Sequence, residues 1–173
     1  GEKTPVDYKV LKEKEIWSFE EAGKRKQIAM HALVIQTSIL KENQIRLDEH
    51  CFYVDVEYVL YPIPYVETVQ FLDLFVYMYR LAVMTQSVSL QGYQKHMQNH
   101  IDVILHLTNF FQEYAKTGTE GKIDYIGKRI AQMVGDQITV FMSFPEKDRE
   151  IRQKFRAFDR ELKEKSPEIY RRS

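Results

Sequence analysis

The sequence predicts an α+β fold that is mostly helical, with short strands confined to its first half. Apolar residues recur at helical spacing through most of residues 91–173, which is typical of packed helices. Short apolar runs rich in branched and aromatic residues lie between residues 28 and 80, which is typical of strands. The chain has 173 residues, of which 44% are hydrophobic and 29% charged, a size and balance that fit one folded domain.

Residues 1–23 are predicted to form a polar lead-in followed by a short helix. Ser18 and Glu21 have the three-residue spacing of a capping box, so a helix is expected to begin there. The run "IAMHALVIQ" at 28–36 is short, apolar and branched, which predicts a buried strand. One or two helical turns then follow, with Thr37 or Ser38 as the cap and Asn43 as the stop.

A second helix is expected to begin at Asp55, because aspartate is a favourable cap. Prolines at 62 and 64 end it. Four apolar residues would share its buried face: Val56, Val59, Leu60 and Ile63. Two strands are predicted next, at 69–72 and 75–80, with a turn at Asp73 between them.

Residues 91–173 are predicted to form a three-helix extension. Breaker-rich loops, "KTGTEGK" and "SFPEKD", separate its helices. The apolar stripes are Met97, Ile101, Ile104 and Phe111 in the first helix, Ile126, Ile130, Met133 or Val134, Ile138 and Phe141 in the second, and Ile151, Phe155, Phe158 and Leu162 in the third.

Charge and cysteine content exclude several function classes. The chain has 25 basic and 25 acidic residues, so a nucleic-acid partner is not expected. A single cysteine, Cys51, excludes an internal disulfide and a multi-cysteine metal site, and suits a reducing compartment. No apolar run is long enough to cross a bilayer. The chain opens at Gly1 without a signal peptide, which we interpret as the start of a piece of a longer protein.

Three segments in order carry a family resemblance: "MHALVIQTSIL", "FYVDVEYVLYPIPYVETVQFLDLFVYMYR" and "QSVSL". Together they resemble the later half of bacterial family 2 glycosyltransferases, which have a GT-A fold. The resemblance covers residues 24–90, the acceptor side of that fold. Val54 stands where the family usually has Glu and Gln86 where Gly is common, and no Asp-x-Asp motif precedes Lys24.

The resemblance implies a site. In the family an acidic pair opens a helix beside the acceptor, and Asp55 occupies that position. Asp55 would be the catalytic base that takes the proton from an acceptor hydroxyl, kept ionised by its place at a helix start. The residues expected to bind substrate are Tyr53, His31, Tyr79, Arg80 and Ser87.

The resemblance also implies partners and a location. The parent enzyme would move a sugar from a nucleotide-sugar donor to a saccharide acceptor in polysaccharide synthesis, in the cytoplasm at the inner face of the membrane, with which it would associate peripherally. Its divalent metal, Mg²⁺ or Mn²⁺, would lie in the donor half, so this chain is expected to hold no cofactor and to be inactive alone. We also expect the chain to self-associate through an exposed sheet edge or apolar face.

Other interpretations of the same residues remain open. Asp55 is explained equally by helix capping, the tyrosines by buried packing, and His31 by a hydrogen-bonded core position. Arg80 can pair with Asp73 or Glu67 as well as with a phosphate. Glu57, two residues after Asp55, points to another side of the helix and is interpreted as a surface or structural residue.

Two rival functions complete the predictions. His96 and His100 have the i, i+4 spacing that can hold a metal, with His50 or an acid as third ligand, while His106 would face elsewhere. This arrangement would make the protein a metal-dependent helical-bundle enzyme. The other rival is a helical interaction module without catalysis, whose aromatic surface docks a partner chain.

Overall fold

The computed structural model describes residues 16–72, 74, 77, 87 and 89–173. The first half of this range contains β1 (Ile16–Ser18), α1 (Phe19–Arg25), α2 (Thr37–Glu42), α3 (Asp55–Leu60) and β2 (Thr68–Gln70), with 3₁₀ turns at Met30–Ala32 and Ile63–Tyr65. The second half contains α4 (Leu90–Lys95), α5 (Met97–Tyr114), α6 (Glu120–Met142), α7 (Arg149–Lys165) and α8 (Pro167–Arg172). The mostly helical α+β prediction is confirmed.

Side-chain caps begin α1, α4 and α7, and the first of these caps was predicted. The cap predicted at Thr37 or Ser38 is wrong, because the N-cap of α2 is Gln36, which makes no side-chain cap hydrogen bond. Ser18 and Glu21 form the predicted capping box at the start of α1. Ser89 caps α4, its side chain accepting from Gly92 N. In the second breaker-rich loop, Asp148 Oδ1 accepts from the backbone of Glu150 and Ile151 and so begins α7. Local polar chemistry therefore fixes where these helices begin.

The only β-ladder among the described residues joins β1 to β2. The two strands pair antiparallel, with Trp17 opposite Val69, and Trp17 is almost fully buried. The strand predicted at 69–72 is thus present at 68–70, but its partner is β1, which the sequence did not indicate. The strand predicted at 75–80 and the turn at Asp73 lie outside the described residues, as does the lead-in before Ile16.

The strand predicted at 28–36 is wrong. The chain there forms a 3₁₀ turn at Met30–Ala32, closed by local bonds from Ala32 N to Ala29 O and from Leu33 N to Met30 O. Ile28 N donates to the Tyr125 hydroxyl rather than to a neighbouring strand. Branched composition favours extended backbone, and Leu33 is extended, but a strand also needs a partner, and the described residues provide none.

One apolar core unites the two halves of the chain. It includes Phe19 from α1, residues of α3, and the inner faces of the C-terminal helices. The predicted stripes are buried in α5 and largely so in α6, where Ile138 is only partly covered. In α7 the stripe is narrower: Phe158 and Leu162 are buried, Ile151 is partly buried and Phe155 is 39% exposed. Five helices rather than three occupy 89–173, since short α4 and α8 flank the long ones.

None of the helices in the described part of the chain combines the length and apolar character needed to traverse a membrane.

Candidate functional site

A cleft of about 390 Å³ opens beside the start of α3. Its walls come from the loop before α3, from α3 itself, and from α4, α5 and α6. The lining residues are Met30, Cys51, Phe52, Tyr53, Val54, Asp55, Val56, Ser87, Tyr93, His100, Arg129, Met133 and Asp136. Three of the six predicted site residues, Tyr53, Asp55 and Ser87, therefore lie together in one wall.

Asp55 is the first helical residue of α3, and its side chain is exposed at the cleft. The N-cap is Val54, which makes no side-chain cap hydrogen bond, so the prediction that Asp55 caps the helix is wrong. Within the described ranges the Asp55 carboxylate has neither a hydrogen bond nor an ion pair. It is consequently open to a ligand in the cleft.

Tyr53 holds the turn that leads into α3. Its φ of 71° lies in the left-handed region, which costs a bulky residue about 1–2 kcal/mol. Its ring stacks on Tyr93 at 4.8 Å between centroids with an interplanar angle of 4°, and its hydroxyl donates to Ser87 O at 2.9 Å. These contacts offset the strain and fix the direction from which α3 presents Asp55.

The Tyr53 hydroxyl is a structural donor. Burial raises the pKa of Tyr53, and Tyr93 and Asp55 raise it further, so the hydroxyl stays protonated at neutral pH. One face of the ring is covered by Tyr93 and the side chain is only 8% exposed. Tyr53 therefore lines the cleft as part of its packed wall, as the alternative interpretation of the tyrosines states.

Of the other predicted substrate-binding residues, only His31 lies in the part of the chain that the structure describes. His31 is half-buried in the 3₁₀ turn and is not in the cleft lining, although its neighbour Met30 is. The His31 ring lies 5.8 Å from the exposed Tyr77 ring. Tyr79 and Arg80 lie outside the described residues.

Helices α5 and α6 supply cleft residues that the sequence analysis missed. Arg129, Met133 and Asp136 are spaced four and three apart on α6, which places them on one face, but the apolar stripe of α6 dominated the interpretation of that helix. Arg129 also donates to Gln132 Oε1 at 3.0 Å. The cleft thus offers two carboxylates, Asp55 and Asp136, and one guanidinium to a polar ligand.

His100 contributes to the inner wall of the cleft and is 2% exposed. Its Nδ1 lies 2.9 Å from Gln137 Oε1, so in this arrangement the ring carries its proton on Nδ1 and donates to the amide. Its ring lies nearly perpendicular to the rings of Tyr53 and Tyr93. His96, by contrast, lies with its ring 3.7 Å from that of Phe52. The described residues place no third metal ligand beside His96 and His100, so the geometry gives the predicted metal pair no support.

We expect protein stability to decline on acidification because of His100. Burial lowers its pKa below the ordinary 6.5, with Arg129 lowering it too, while the Gln137 hydrogen bond, Asp136 and Asp55 oppose the shift. The unfolded chain then binds more protons than the folded one as pH falls through 6.5. The free energy of unfolding should be fully retained above pH 6.5 and fall below it, by at most about 1.4 kcal/mol per pH unit for one proton.

Urea unfolding between pH 5 and 7.5 checks this expectation. Below pH 6.5, the free energy of unfolding of the His100→Phe variant should fall less steeply with pH than that of the wild type, by the contribution of one proton. Equal slopes in wild type and His100→Phe would contradict the assignment.

A second polar cluster lies where the loop before α3 meets α3 and α5. It consists of Asp48, Glu57 and His106, which offer ligand atoms that all lie within 4.8 Å of one another. Glu57 is fully buried, so its interpretation as a surface residue is wrong, while the structural one fits its bonds. Burial raises the pKa of Glu57, and the bonds from Asp48 N and the Tyr61 hydroxyl oppose that rise.

Cys51 lines the cleft and is half-buried. Burial raises the pKa of its thiol, and the nearby acids Asp48, Glu57 and Asp102 raise it further. The thiol is therefore protonated at neutral pH and is a poor nucleophile. This environment suits a packed side chain rather than a reactive thiol.

Comparisons with known proteins found no match to any family model, to any curated protein or to any solved structure.

Proposed function

We propose that this chain supplies the acceptor side of a sugar-transfer site, in which Asp55 is the catalytic base. The proposal combines the family resemblance of residues 24–90 with one observation from the structure. An exposed carboxylate without a partner among the described residues projects from the first turn of α3 into a cleft. A carboxylate in this position can reach a hydroxyl bound there, which is the geometric requirement for a general base.

The proposed sugar transfer requires one base, which is Asp55. The acceptor hydroxyl oxygen attacks the anomeric carbon of the donor sugar, and the bond from that carbon to the diphosphate oxygen breaks. The acceptor proton moves to an Asp55 carboxylate oxygen, and the nucleoside diphosphate leaves with the electron pair of the broken bond. Arg129 and Asp136 supply a donor group and an acceptor group for the remaining hydroxyls of the saccharide.

The cleft does not fit a divalent metal that would hold the diphosphate. Its two acids, Asp55 and Asp136, have no third ligand that would complete a metal site within the described ranges. We therefore assign the nucleotide sugar and its Mg²⁺ or Mn²⁺ to residues outside this cleft. No step assigned to this chain passes through that metal.

The surface of the first half of the chain includes exposed apolar side chains. Val34 is 86% exposed and Leu74 is 67% exposed, although both are apolar. Covering such side chains is favourable. The surface is compatible with the self-association expected from the sequence and with the interaction-module alternative.

Saccharide binding at the cleft tests the proposal. In amide NMR spectra of the chain, neutral oligosaccharides are expected to shift the signals of Asp55, Tyr93 and Arg129, while nucleotide sugars leave them unchanged. In an active transferase polypeptide that includes this chain, Asp55→Asn should lower kcat by about 10²- to 10⁴-fold with little change in KM, because the amide keeps the shape and loses the basicity.

Asp102→Asn is the matched control, because Asp102 lies on α5 outside the cleft lining and accepts a hydrogen bond from Gln98. It should leave kcat within about twofold of wild type. If the kcat of Asp55→Asn also lies within about twofold of wild type, Asp55 is not the catalytic base. If oligosaccharides shift only the NMR signals of residues outside the cleft, the cleft is not the acceptor site.

A further inference from the structure

The Asp48–Glu57–His106 cluster brings together three segments that are distant in sequence. Asp48 lies in the loop before α3, Glu57 in α3 and His106 in α5. His106 Nδ1 lies 2.6 Å from Asp48 Oδ2, and Asp48 N donates to Glu57 Oε2 at 2.9 Å. One imidazole nitrogen and two carboxylates thus converge on one point, on the side of α3 that Glu57 occupies.

Acidic groups outnumber basic groups in this cluster. Glu57 is 0% exposed, and its carboxylate accepts from Asp48 N and, at 3.3 Å, from the Tyr61 hydroxyl. Neither Asp48 nor Glu57 forms an ion pair with a lysine or arginine in the described part of the chain. Two carboxylates therefore face a single imidazole in a partly buried site, where an uncompensated negative charge is costly. A bound cation would compensate it.

The ligand types select the class of cation. Calcium and magnesium are hard cations that prefer oxygen ligands, so the imidazole nitrogen of His106 disfavours both. Imidazole with carboxylates suits first-row transition metals, zinc above all, in a site that keeps at least one position for water.

The distances allow such an ion with small movements. Zinc binds nitrogen and oxygen at about 2.0–2.2 Å, so the ligand atoms of a tetrahedral site lie roughly 3.0–3.5 Å apart. In the cluster the closest pair lies at 2.6 Å and no pair exceeds 4.8 Å, so shifts of about 1 Å suffice. The side chains that would move are the accessible ones, since His106 is 51% and Asp48 34% exposed while Glu57 stays fixed.

We propose that the Asp48–Glu57–His106 cluster is a binding site for a divalent transition-metal ion, and Zn²⁺ is the ion with which we test it. The ion would join the loop before α3, α3 and α5, the same three segments that build one wall of the cleft. The proposal is independent of the sugar-transfer proposal, because it uses neither Asp55 nor any residue of the cleft lining.

Zinc titration of the whole chain tests the site. After chelator treatment and dialysis, calorimetry with Zn²⁺ is expected to give one ion per chain, and Mg²⁺ is expected to give no binding. His106→Ala should weaken zinc binding by at least about 100-fold, because losing a ligand costs no less than losing a ligand's hydrogen-bond partner, which costs about 10- to 100-fold. Zn²⁺ should also raise the Tm of the wild type and leave that of His106→Ala unchanged.

Three further variants separate this site from other ways of holding zinc. Asp48→Asn, which changes a partly exposed ligand without disturbing the buried Glu57, should weaken binding as His106→Ala does. His96→Ala and Cys51→Ser should bind zinc as the wild type does. Absence of zinc binding by the wild type, binding that survives His106→Ala, or loss of binding in His96→Ala or Cys51→Ser would each overturn the proposal.

Discussion

Replacing Phe111 by alanine is expected to lower the free energy of unfolding by about 3–5 kcal/mol. Phe111 is fully buried in α5, and its ring packs against Gly127 of α6, where an added Cβ would lie only 3.2 Å from Phe111 Cε2. Removing the ring leaves a cavity at the crossing of the two longest helices, which rigid neighbours fill poorly. Thermal unfolding followed by circular dichroism should show a Tm lower by roughly 10 °C.

Phe155→Ala is the matched control for Phe111→Ala. Phe155 lies on α7, is 39% exposed, and meets Phe141 edge to face at 5.4 Å between centroids. Phe155→Ala should lower the free energy of unfolding by about 1 kcal/mol, because the ring is partly exposed and water can fill the space that it leaves. Equal losses from the two substitutions would show that the α5–α6 contact is not the centre of the core.

The same two phenylalanines show how far the sequence could predict the fold. Helical spacing places both on apolar stripes, and spacing alone is enough to identify α5, α6 and α7. How deeply each stripe is buried depends on the neighbouring helices, which periodicity does not encode. Phe155 is therefore on the correct face but at its edge.

Strands were predicted less well, because a strand is completed by residues far away in sequence. The segment at 28–36 has strand composition, yet local 3₁₀ bonds close around Met30 and no described strand lies beside it. The β1–β2 ladder is only three residues long in each strand and depends on the pairing of Trp17 with Val69. No local pattern near Trp17 could indicate that contact.

In the candidate site, too, features set by nearby residues could be predicted from the sequence, and features set by tertiary packing could not. The start of α3 at Asp55 could be predicted locally, because an acidic residue is favourable in the first turn of a helix. Glu57 was misassigned in part because its burial depends on donors from elsewhere, the backbone of Asp48 and the hydroxyl of Tyr61. An acidic residue without visible partners is ordinarily placed at the surface. The nearness of His106 to Asp48 likewise depends on how the loop before α3 packs against α5.

Gln137→Leu is expected to lower the free energy of unfolding by about 1–3 kcal/mol. Gln137 is fully buried and is the acceptor for His100 Nδ1, so leucine leaves a buried donor without a partner. The amide nitrogen of Gln137 has no hydrogen-bond partner among the described residues. In the wild type, the unsatisfied group is the Gln137 amide nitrogen. Gln137→Leu removes that group and the hydrogen bond to His100, and it leaves His100 Nδ1 unsatisfied instead.

Combining Gln137→Leu with His100→Phe should restore most of the lost stability. The double variant removes the polar groups of both side chains. The new ring keeps an aromatic contact with Tyr53 and Tyr93, whose ring centroids lie 4.9 and 5.1 Å from that of His100. Urea unfolding of wild type, both single variants and the double variant gives the coupling energy, expected at about 0.5–3 kcal/mol. If the single losses instead add, the two side chains act independently, and the hydrogen bond does not hold the inner wall of the cleft in place.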